Sequence, residues 1–187
     1  MTLTAVLLVG GLSQRMGRDK ATLVIQGEQL WEKQIKLLHE LSPQALWISA
    51  RERPLWCHSH FETVTDQSPS RGPLSGLTAS LDRLQTSHLL VLAIDLPRMT
   101  AEQLRKLWTL ARPGCGVIPV NGENFEPLCA IYPVEAAAAA RTALAGGDLS
   151  LQRLAQTLIR ENRAIAHPLS QAEKEFFHNV NTPTDLP

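Results

Sequence analysis

The stretch that decides the fold is residues 5–21, AVLLVGGLSQRMGRDKA. Its first five residues are apolar and rich in Val and Leu, which is typical of a buried strand in a parallel sheet. Two glycines follow, where the backbone is expected to turn. Because glycine has no side chain, a bulky group can approach the backbone there. Arg15, Arg18 and Lys20 follow within six residues. Cations after such a turn favour an anionic ligand, and phosphate fits them best.

This stretch matches neither of two common nucleotide-binding motifs. A P-loop requires a Gly-Lys pair followed by Ser or Thr, and the chain has no Gly-Lys pair. A dinucleotide-binding loop requires G-x-G-x-x-G, which Gly10, Gly11 and Gly17 do not supply. The spacing is instead G-G-x-S-x-R-M-G-x-D-K. A strand-to-helix turn that merely happens to be basic is the alternative interpretation.

Strand and helix signals alternate along the rest of the chain. This rhythm predicts an α/β fold with a doubly wound, mostly parallel sheet and helices on both faces. The predicted strands cover residues 5–9, 22–25, 45–50, 61–66, 89–94, 116–120, 128–132 and 162–167. The predicted helices cover residues 30–41, 77–85, 135–144 and 149–159, the last with Asp148 as its N-cap. One more helix is predicted to follow Thr100 as its N-cap, with Leu104, Leu107, Trp108 and Leu110 as its inner residues. Residues 67–76, dense in Pro and Gly, are predicted to be a loop.

Length and composition limit the class of protein. With 187 residues, of which 44% are hydrophobic, the chain is expected to form a single domain over residues 1–187. Lys and Arg number 18, as do Asp and Glu, and this balance argues against non-specific binding of nucleic acid. Three distant cysteines favour a reducing compartment over a disulfide framework. No signal peptide and no apolar run of ~20 residues is present, so we expect a cytoplasmic protein without membrane spans.

Two carboxylates follow predicted strands and are candidates for ligand binding. Asp95 ends the most apolar run of the chain, where a divalent metal such as Mg²⁺ is one partner for it. Asp66 ends an earlier strand and precedes the Pro/Gly loop. Both aspartates are also good turn residues, which is the alternative for each. Because the ends of parallel strands meet at one edge of a sheet, Asp66, Asp95 and the basic loop are expected to converge. A metal site over residues 57–60, CHSH, has little support because no second cluster accompanies it.

Several separated segments together resemble the molybdenum cofactor guanylyltransferases, a MobA-like family of nucleotidyltransferases. They span the chain from end to end: residues 8–20, Asp66 with residues 72–76 (GPLSG), residues 95–97 (DLP), residues 126–132 (EPLCAIY) and residues 179–183 (NVNTP). The first segment is shared by many nucleotidyltransferases and by itself indicates only a nucleotide. The Gly-Gly pair, GPLSG and NVNTP favour guanylyl transfer over cytidylyl transfer.

The resemblance implies a Rossmann-like nucleotidyltransferase fold and a role for particular residues. It implies that Lys20, Arg15 and Asp95 are catalytic, with Lys20 and Arg15 on the phosphates and Asp95 holding Mg²⁺. Further residues are implied in binding of the nucleotide or the pterin: Leu8, Val9, Gly10, Gly11, Asp66, Asn179 and Asn181. Relatives can carry an Asn where this chain has Ser49, so that contact with the nucleotide is not expected here.

The resemblance also implies the reaction. GMP would pass from GTP to the terminal phosphate of Mo-molybdopterin, giving the guanine dinucleotide cofactor and pyrophosphate. The open alternatives are a cytidylyltransferase, a sugar- or alditol-phosphate nucleotidyltransferase, and a protein that binds a nucleotide or cofactor without turnover. Two small-molecule substrates are expected, together with transient contacts to the protein that donates the cofactor and to a molybdoenzyme.

Overall fold

The computed structural model describes residues 1–9, 20–66 and 71–180. The strands are β1 (Leu3–Leu8), β2 (Val24–Ile25), β3 (Glu28–Gln29), β4 (Ala45–Ala50), β5 (Glu62–Thr65), β6 (His88–Ala93), β7 (Gly116–Asn121), β8 (Asn124–Phe125), β9 (Cys129–Pro133) and β10 (Ala164–Pro168). The helices are α1 (Leu30–His39), α2 (Pro73–Arg83), α3 (Ala101–Leu110), α4 (Ala136–Ala145), α5 (Leu151–Arg160) and α6 (Gln171–Lys174). Short 3-10 turns cover Lys20–Thr22 and Glu175–Phe177.

The main sheet has the strand order β10-β7-β9-β6-β1-β4-β5, and β8 pairs with β7. Strand β1 runs parallel to both β4 and β6, and β10 runs parallel to β7. Strand β9 is antiparallel to β6 and β7. A separate antiparallel hairpin joins β2 and β3. The predicted mostly parallel sheet is therefore confirmed.

Helices cover both faces of this sheet, as predicted. Strands β1 and β6 are buried over their whole length, which explains why their sequences are apolar without interruption. Alternate residues of β1 enter two separate cores. Leu7 packs in the core that contains buried residues of α1 and α3, whereas Val6 and Leu8 pack in the core that contains those of α2, α4 and α5.

The order of the strands reverses beside β1. From β1 the chain moves to β4 and β5 on one side, and β6 then lies on the other side of β1. In sheets of this type ligands bind outside the carboxyl ends of the strands at the point where the order reverses. The carboxyl ends of β1 and β6 mark this point. We call the edge of the sheet where they end the carboxyl edge.

Helix α2 begins at Pro73, so the prediction of a loop up to residue 76 was wrong. Gly72 has φ of 77°, a conformation that Gly adopts without steric cost, and Pro73 takes the first helical position. The hydroxyl of Ser75 accepts a hydrogen bond from the backbone N–H of Arg71 at 2.8 Å. Pro and Gly therefore mark the start of a helix here. Segment 72–76 is largely the first turn of α2.

The start of α5 also differs from the prediction. Ser150 is its N-cap, and its hydroxyl accepts a hydrogen bond from Arg153 N. Asp148 lies before the helix, where its carboxylate accepts from Ser150 N at 3.2 Å and pairs with Arg153. The predicted cap of α3 at Thr100 is confirmed, since its hydroxyl accepts from Gln103 N. The predicted strand at 22–25 is reduced to Val24–Ile25.

All three cysteines are free thiols, as predicted. Burial raises the pKa of Cys129 well above its ordinary value, and the nearby Glu126 acts in the same direction. Cys129 is therefore an unreactive core residue. No helix in the described part of the chain has the length and apolarity needed to cross a bilayer.

Candidate active site

Backbone hydrogen bonds continue past the ends of the central strands and fix the carboxyl edge. Val9 N donates to Ser49 O at 2.9 Å, and Ile94 N donates to Leu8 O at 3.0 Å. Beyond β5, Asp66 N donates to Ala50 O at 3.4 Å. The residues that follow β1, β5 and β6 are therefore held in register with one another, although they are far apart in sequence.

One side of this edge is closely packed. Gly76, in the first turn of α2, lies so near its neighbours that a Cβ added to it would be 2.6 Å from Ser49 Oγ and 3.2 Å from Asp66 Oδ1. The same Cβ would be 3.6 Å from Leu8 Cδ2. Ser49 and Leu8 are buried. We call Leu8, Ser49, Asp66 and Gly76 the packed half. No residue larger than Gly fits at position 76 without displacing the hydroxyl of Ser49.

The other side carries charged and hydrogen-bonding side chains. Lys20 Nζ lies 3.6 Å from Asp95 Oδ2 and donates a hydrogen bond to Val180 O at 2.8 Å. Val180 N in turn donates to Asp95 O at 2.9 Å. Both charged side chains are mostly buried, since the exposed fraction is 20% for Lys20 and 25% for Asp95. The C-terminal segment thus holds the lysine beside the end of β6.

Glu126 and Asn121 lie next to this ion pair. Asn121 Nδ2 donates to Glu126 Oε1 at 3.2 Å. Strand β9 pairs with β6 up to Leu92 and Cys129, and Ala93 N then donates to Leu128 O at 2.7 Å. The carboxylates of Asp95 and Glu126 lie near enough to each other for the charge of Asp95 to act on Glu126. We call Lys20, Asp95, Asn121 and Glu126 the charged half.

The pKa of Glu126 reflects these surroundings. Burial raises it above its ordinary value, the hydrogen bond from Asn121 opposes this change, and the negative charge of Asp95 raises it further. A like charge nearby disfavours the ionised form of a carboxyl group. Perturbed carboxylates of this kind concentrate at functional sites.

Comparison with known proteins identifies the family. The family model described as the MobA-like NTP transferase domain matches residues 5–166. The chain belongs to the MobA-like NTP transferase family. The predicted family and the predicted enzyme class, a nucleotidyltransferase, are thereby confirmed.

Individual relatives agree with this assignment. A probable molybdenum cofactor guanylyltransferase of Opitutus terrae is 34% identical over 98% of this chain and 92% of its own length. A molybdenum cofactor guanylyltransferase of Xanthomonas euvesicatoria is 29% identical over 96% of this chain and 90% of its own. The crystal structure of molybdopterin-guanine dinucleotide biosynthesis protein A from Archaeoglobus fulgidus is similar with a TM-score of 0.74 and 25% identity, covering 97% of this chain and 94% of that one.

The structure brings several of the predicted site residues of this MobA-like chain to the carboxyl edge. Leu8 ends β1 and Val9 follows it, Asp66 lies in the packed half, and Lys20 and Asp95 lie in the charged half. Asn179 is exposed and precedes Val180, which bonds to both Lys20 and Asp95. The remaining predicted residues lie outside the described part of the chain: Gly10, Gly11, Arg15 and Asn181.

Sequence reasoning did not select Asn121 and Glu126 as site residues. Glu126 was considered only as the first residue of the matching segment 126–132. A usable signal was present, because Glu126 and Pro127 precede an apolar strand much as Asp95 follows one. What the sequence lacks is the pairing of β9 with β6, which brings the segment before β9 to the end of β6.

The charged half also fits a magnesium ion in its chemistry. Within residues 1–9, 20–66 and 71–180 no group of three or more His, Cys, Asp or Glu side chains could hold a metal, and this includes the cluster at 57–60. Mg²⁺ does not need such a group, because it binds through one or two carboxylates together with phosphate oxygens and water. The partly exposed carboxylate of Asp95 fits this requirement.

Proposed function

We propose that this chain transfers GMP from GTP to the terminal phosphate of the molybdenum cofactor and releases pyrophosphate. The observation that carries the proposal is the ion pair of Lys20 with Asp95 at the point where the strand order reverses. An ammonium group and a carboxylate suited to Mg²⁺ lie there side by side, where a triphosphate needs charge neutralisation. The names of the relatives supply the guanine nucleotide and the cofactor as substrates.

The nucleoside is assigned to the packed half. Leu8 and Val9, continued by Gly10 and Gly11, would line the guanine and ribose, and Asp66 would assist in binding them. Because Gly76 has no side chain, the first turn of α2 packs directly against Ser49 and Asp66, which fixes Asp66 at the carboxyl edge. Ser49 is buried beneath Gly76, in agreement with its omission from the nucleotide-binding residues.

The triphosphate is assigned to the charged half. Lys20 would bind phosphate oxygens as a point charge, and Arg15 would bind them in bidentate fashion. Asp95 would hold Mg²⁺, which when bound supplies neutralisation of charge on the phosphate oxygens. The hydrogen bond from Lys20 to Val180 O restricts the lysine before the substrate arrives. Asn179 and Asn181 would face the pterin.

The reaction requires positioning more than proton transfer. An oxygen of the cofactor's terminal phosphate attacks the α-phosphorus of GTP, a new P–O bond forms, and the bond to the β-phosphate breaks. The attacking oxygen is already anionic, so no general base is needed. Catalysis then consists of alignment of the two phosphates and neutralisation of the charge that develops on them. Delivery of the cofactor implies transient contacts with the protein that donates it and with the receiving molybdoenzyme.

A parallel binding titration tests the proposal. The protein is titrated by calorimetry with GTP, CTP, ATP and UTP in the presence of Mg²⁺, and GTP is expected to bind most tightly. Preference for CTP would move the protein to cytidylyl transfer on the same fold. Absence of binding to any of the four would contradict the assignment of the carboxyl edge to a nucleotide. Formation of guanine dinucleotide cofactor and pyrophosphate then separates an enzyme from a protein that only binds its ligands.

A further inference from the structure

Glu126 and Asn121 lie on the far side of Asp95 from the packed half. Strands β7 and β9 are on the side of β6 that faces away from β1, β4 and β5. If the nucleoside occupies the packed half and the phosphates meet at Lys20 and Asp95, the second substrate must extend toward β7 and β9. Glu126 and Asn121 are then placed beside the second substrate rather than beside the nucleoside.

The carboxylate of Glu126 is held in place but keeps capacity to accept hydrogen bonds. Asn121 donates to one of its oxygens. The ion pairs found among the described residues include Lys20 with Asp95, but none of them involves Glu126. An ionised carboxylate accepts several hydrogen bonds and donates none. Burial and the neighbouring Asp95 make this charge costly, so a ligand that brings N–H donors would relieve it.

Lys20 and Glu126 carry opposite charges and therefore attract different groups of a ligand. A phosphate is attracted to Lys20 and repelled by Glu126, whereas N–H donors are attracted to Glu126. A pterin that carries a terminal phosphate has both kinds of group, with the phosphate at one end and ring N–H and amino donors in the bicycle. The arrangement therefore favours one orientation of such a molecule, with its phosphate toward Lys20.

We propose that Glu126, anchored by Asn121, is a specificity-determining residue that accepts hydrogen bonds from N–H groups of the pterin and directs its phosphate toward Lys20. This rests on the proposed function, because the identity of the second substrate comes from it. The role is distinct from that of Lys20 and Asp95, since Glu126 determines which second substrate binds and how that substrate is oriented.

The test compares E126Q with the wild-type protein in two binding assays. The first follows 6-hydroxymethylpterin by quenching of its fluorescence, and the second follows GTP with Mg²⁺ by calorimetry. Gln keeps the size of Glu but loses the charge, so E126Q is expected to weaken pterin binding about tenfold or more. GTP binding is expected to change by less than about twofold. N121A, which removes the anchor, is expected to act in the same direction with a smaller effect.

The matched control is E123Q, a change of the same kind at an exposed residue of the β7–β8 turn. It is expected to leave both dissociation constants unchanged. In steady-state assays with the molybdenum cofactor, E126Q is expected to raise KM for the cofactor while kcat stays within about twofold.

Three results would overturn the inference: unchanged pterin binding in E126Q, weakened binding of GTP with Mg²⁺ instead, or a wild-type protein that binds GTP but not the pterin. Failure of the proposed function has a different signature. If the wild-type protein does not bind GTP but binds the pterin through Glu126, the guanylyl transfer is contradicted and the role of Glu126 in pterin binding is supported.

Discussion

The packed half and the charged half lie on the same edge of one sheet but are built in opposite ways. In the packed half the decisive feature is a missing side chain, because Gly76 lies where a Cβ would be 2.6 Å from Ser49 Oγ. In the charged half the decisive features are long side chains from distant segments, such as Lys20 bonded to the backbone of Val180, 160 residues later. The packed half therefore depends on volume, and the charged half depends on charge and on the C-terminal segment.

The largest expected effect is on catalysis and comes from the charged half. K20A and D95A are each expected to lower kcat on the order of 10²-fold or more, because K20A removes a positive charge beside the reacting phosphates and D95A removes the carboxylate that would hold Mg²⁺. The melting temperature is expected to change little, since both side chains are partly exposed. Turnover is measured as pyrophosphate release. K36A, at an exposed lysine of α1 that pairs with Glu28, is the matched control. Full activity of either K20A or D95A would remove the charged half from the mechanism.

The second effect concerns the stability of the segment that precedes Val180. Glu173 lies in α6, a few residues before Val180, and is contacted by Lys106 of α3 and by Ser170. The hydrogen bond from Lys106, followed by those from Ser170, lowers the pKa of Glu173 to about 2. Because the folded pKa lies below the unfolded one, the ionised carboxylate stabilises the fold above pH ~4.5 and this contribution is lost as the pH falls toward 2.

E173Q is therefore expected to lower the free energy of unfolding at pH 7 by about 2 kcal/mol. This is less than the free energy that corresponds to the whole pKa shift of Glu173, because Lys106 is half exposed and solvent weakens the interaction. The difference from wild type is expected to shrink as the pH falls below ~4.5. Urea unfolding at pH 7, 5, 4 and 3 measures it. E40Q is the control, because Glu40 pairs with Arg105 on the exposed surface and such pairs contribute little. A gap that stays constant with pH would contradict the assignment.

The smallest expected effect tests the packed half. Gly to Ala inside a helix normally stabilises a protein by about 0.5–1 kcal/mol, but G76A is expected to destabilise it by about 1 kcal/mol because the new methyl group meets Ser49. The double variant S49A/G76A removes the hydroxyl from that contact and is expected to recover part of the loss. A double-mutant cycle on unfolding free energies measures the coupling. A gain in stability from G76A alone would show that the packed half has spare volume.

The sequence was sufficient for the features that depend on local patterns. The apolar run at 89–94 predicts a central strand, which the structure places at His88–Ala93, because a strand buried on both faces has no polar positions. Thr100 predicts the start of α3, because a hydroxyl can satisfy the free N–H groups of a first helical turn. The order of strands and helices predicts helices on both faces, as found.

The errors arose where one residue type serves two purposes. Pro73 and Gly72 indicate a turn in most sequences, but here they start a helix, because Pro fits the first helical position and Gly adopts positive φ before it. Asp148 and Ser150 are both good N-caps, and the choice between them depends on where the chain leaves α4. Local sequence does not contain this information.

By itself the sequence determined the alternation of strands and helices, the buried centre of the sheet and the basic loop that suggests a phosphate ligand. Each of these features depends on residues that are close together in the sequence. Only the tertiary structure decided which distant residues meet. It placed Lys20 against Val180 and Asp95, Gly76 against Ser49, and Glu126 near Asp95. These contacts follow from the order and register of the strands, which are set by packing over the whole chain rather than by any one segment.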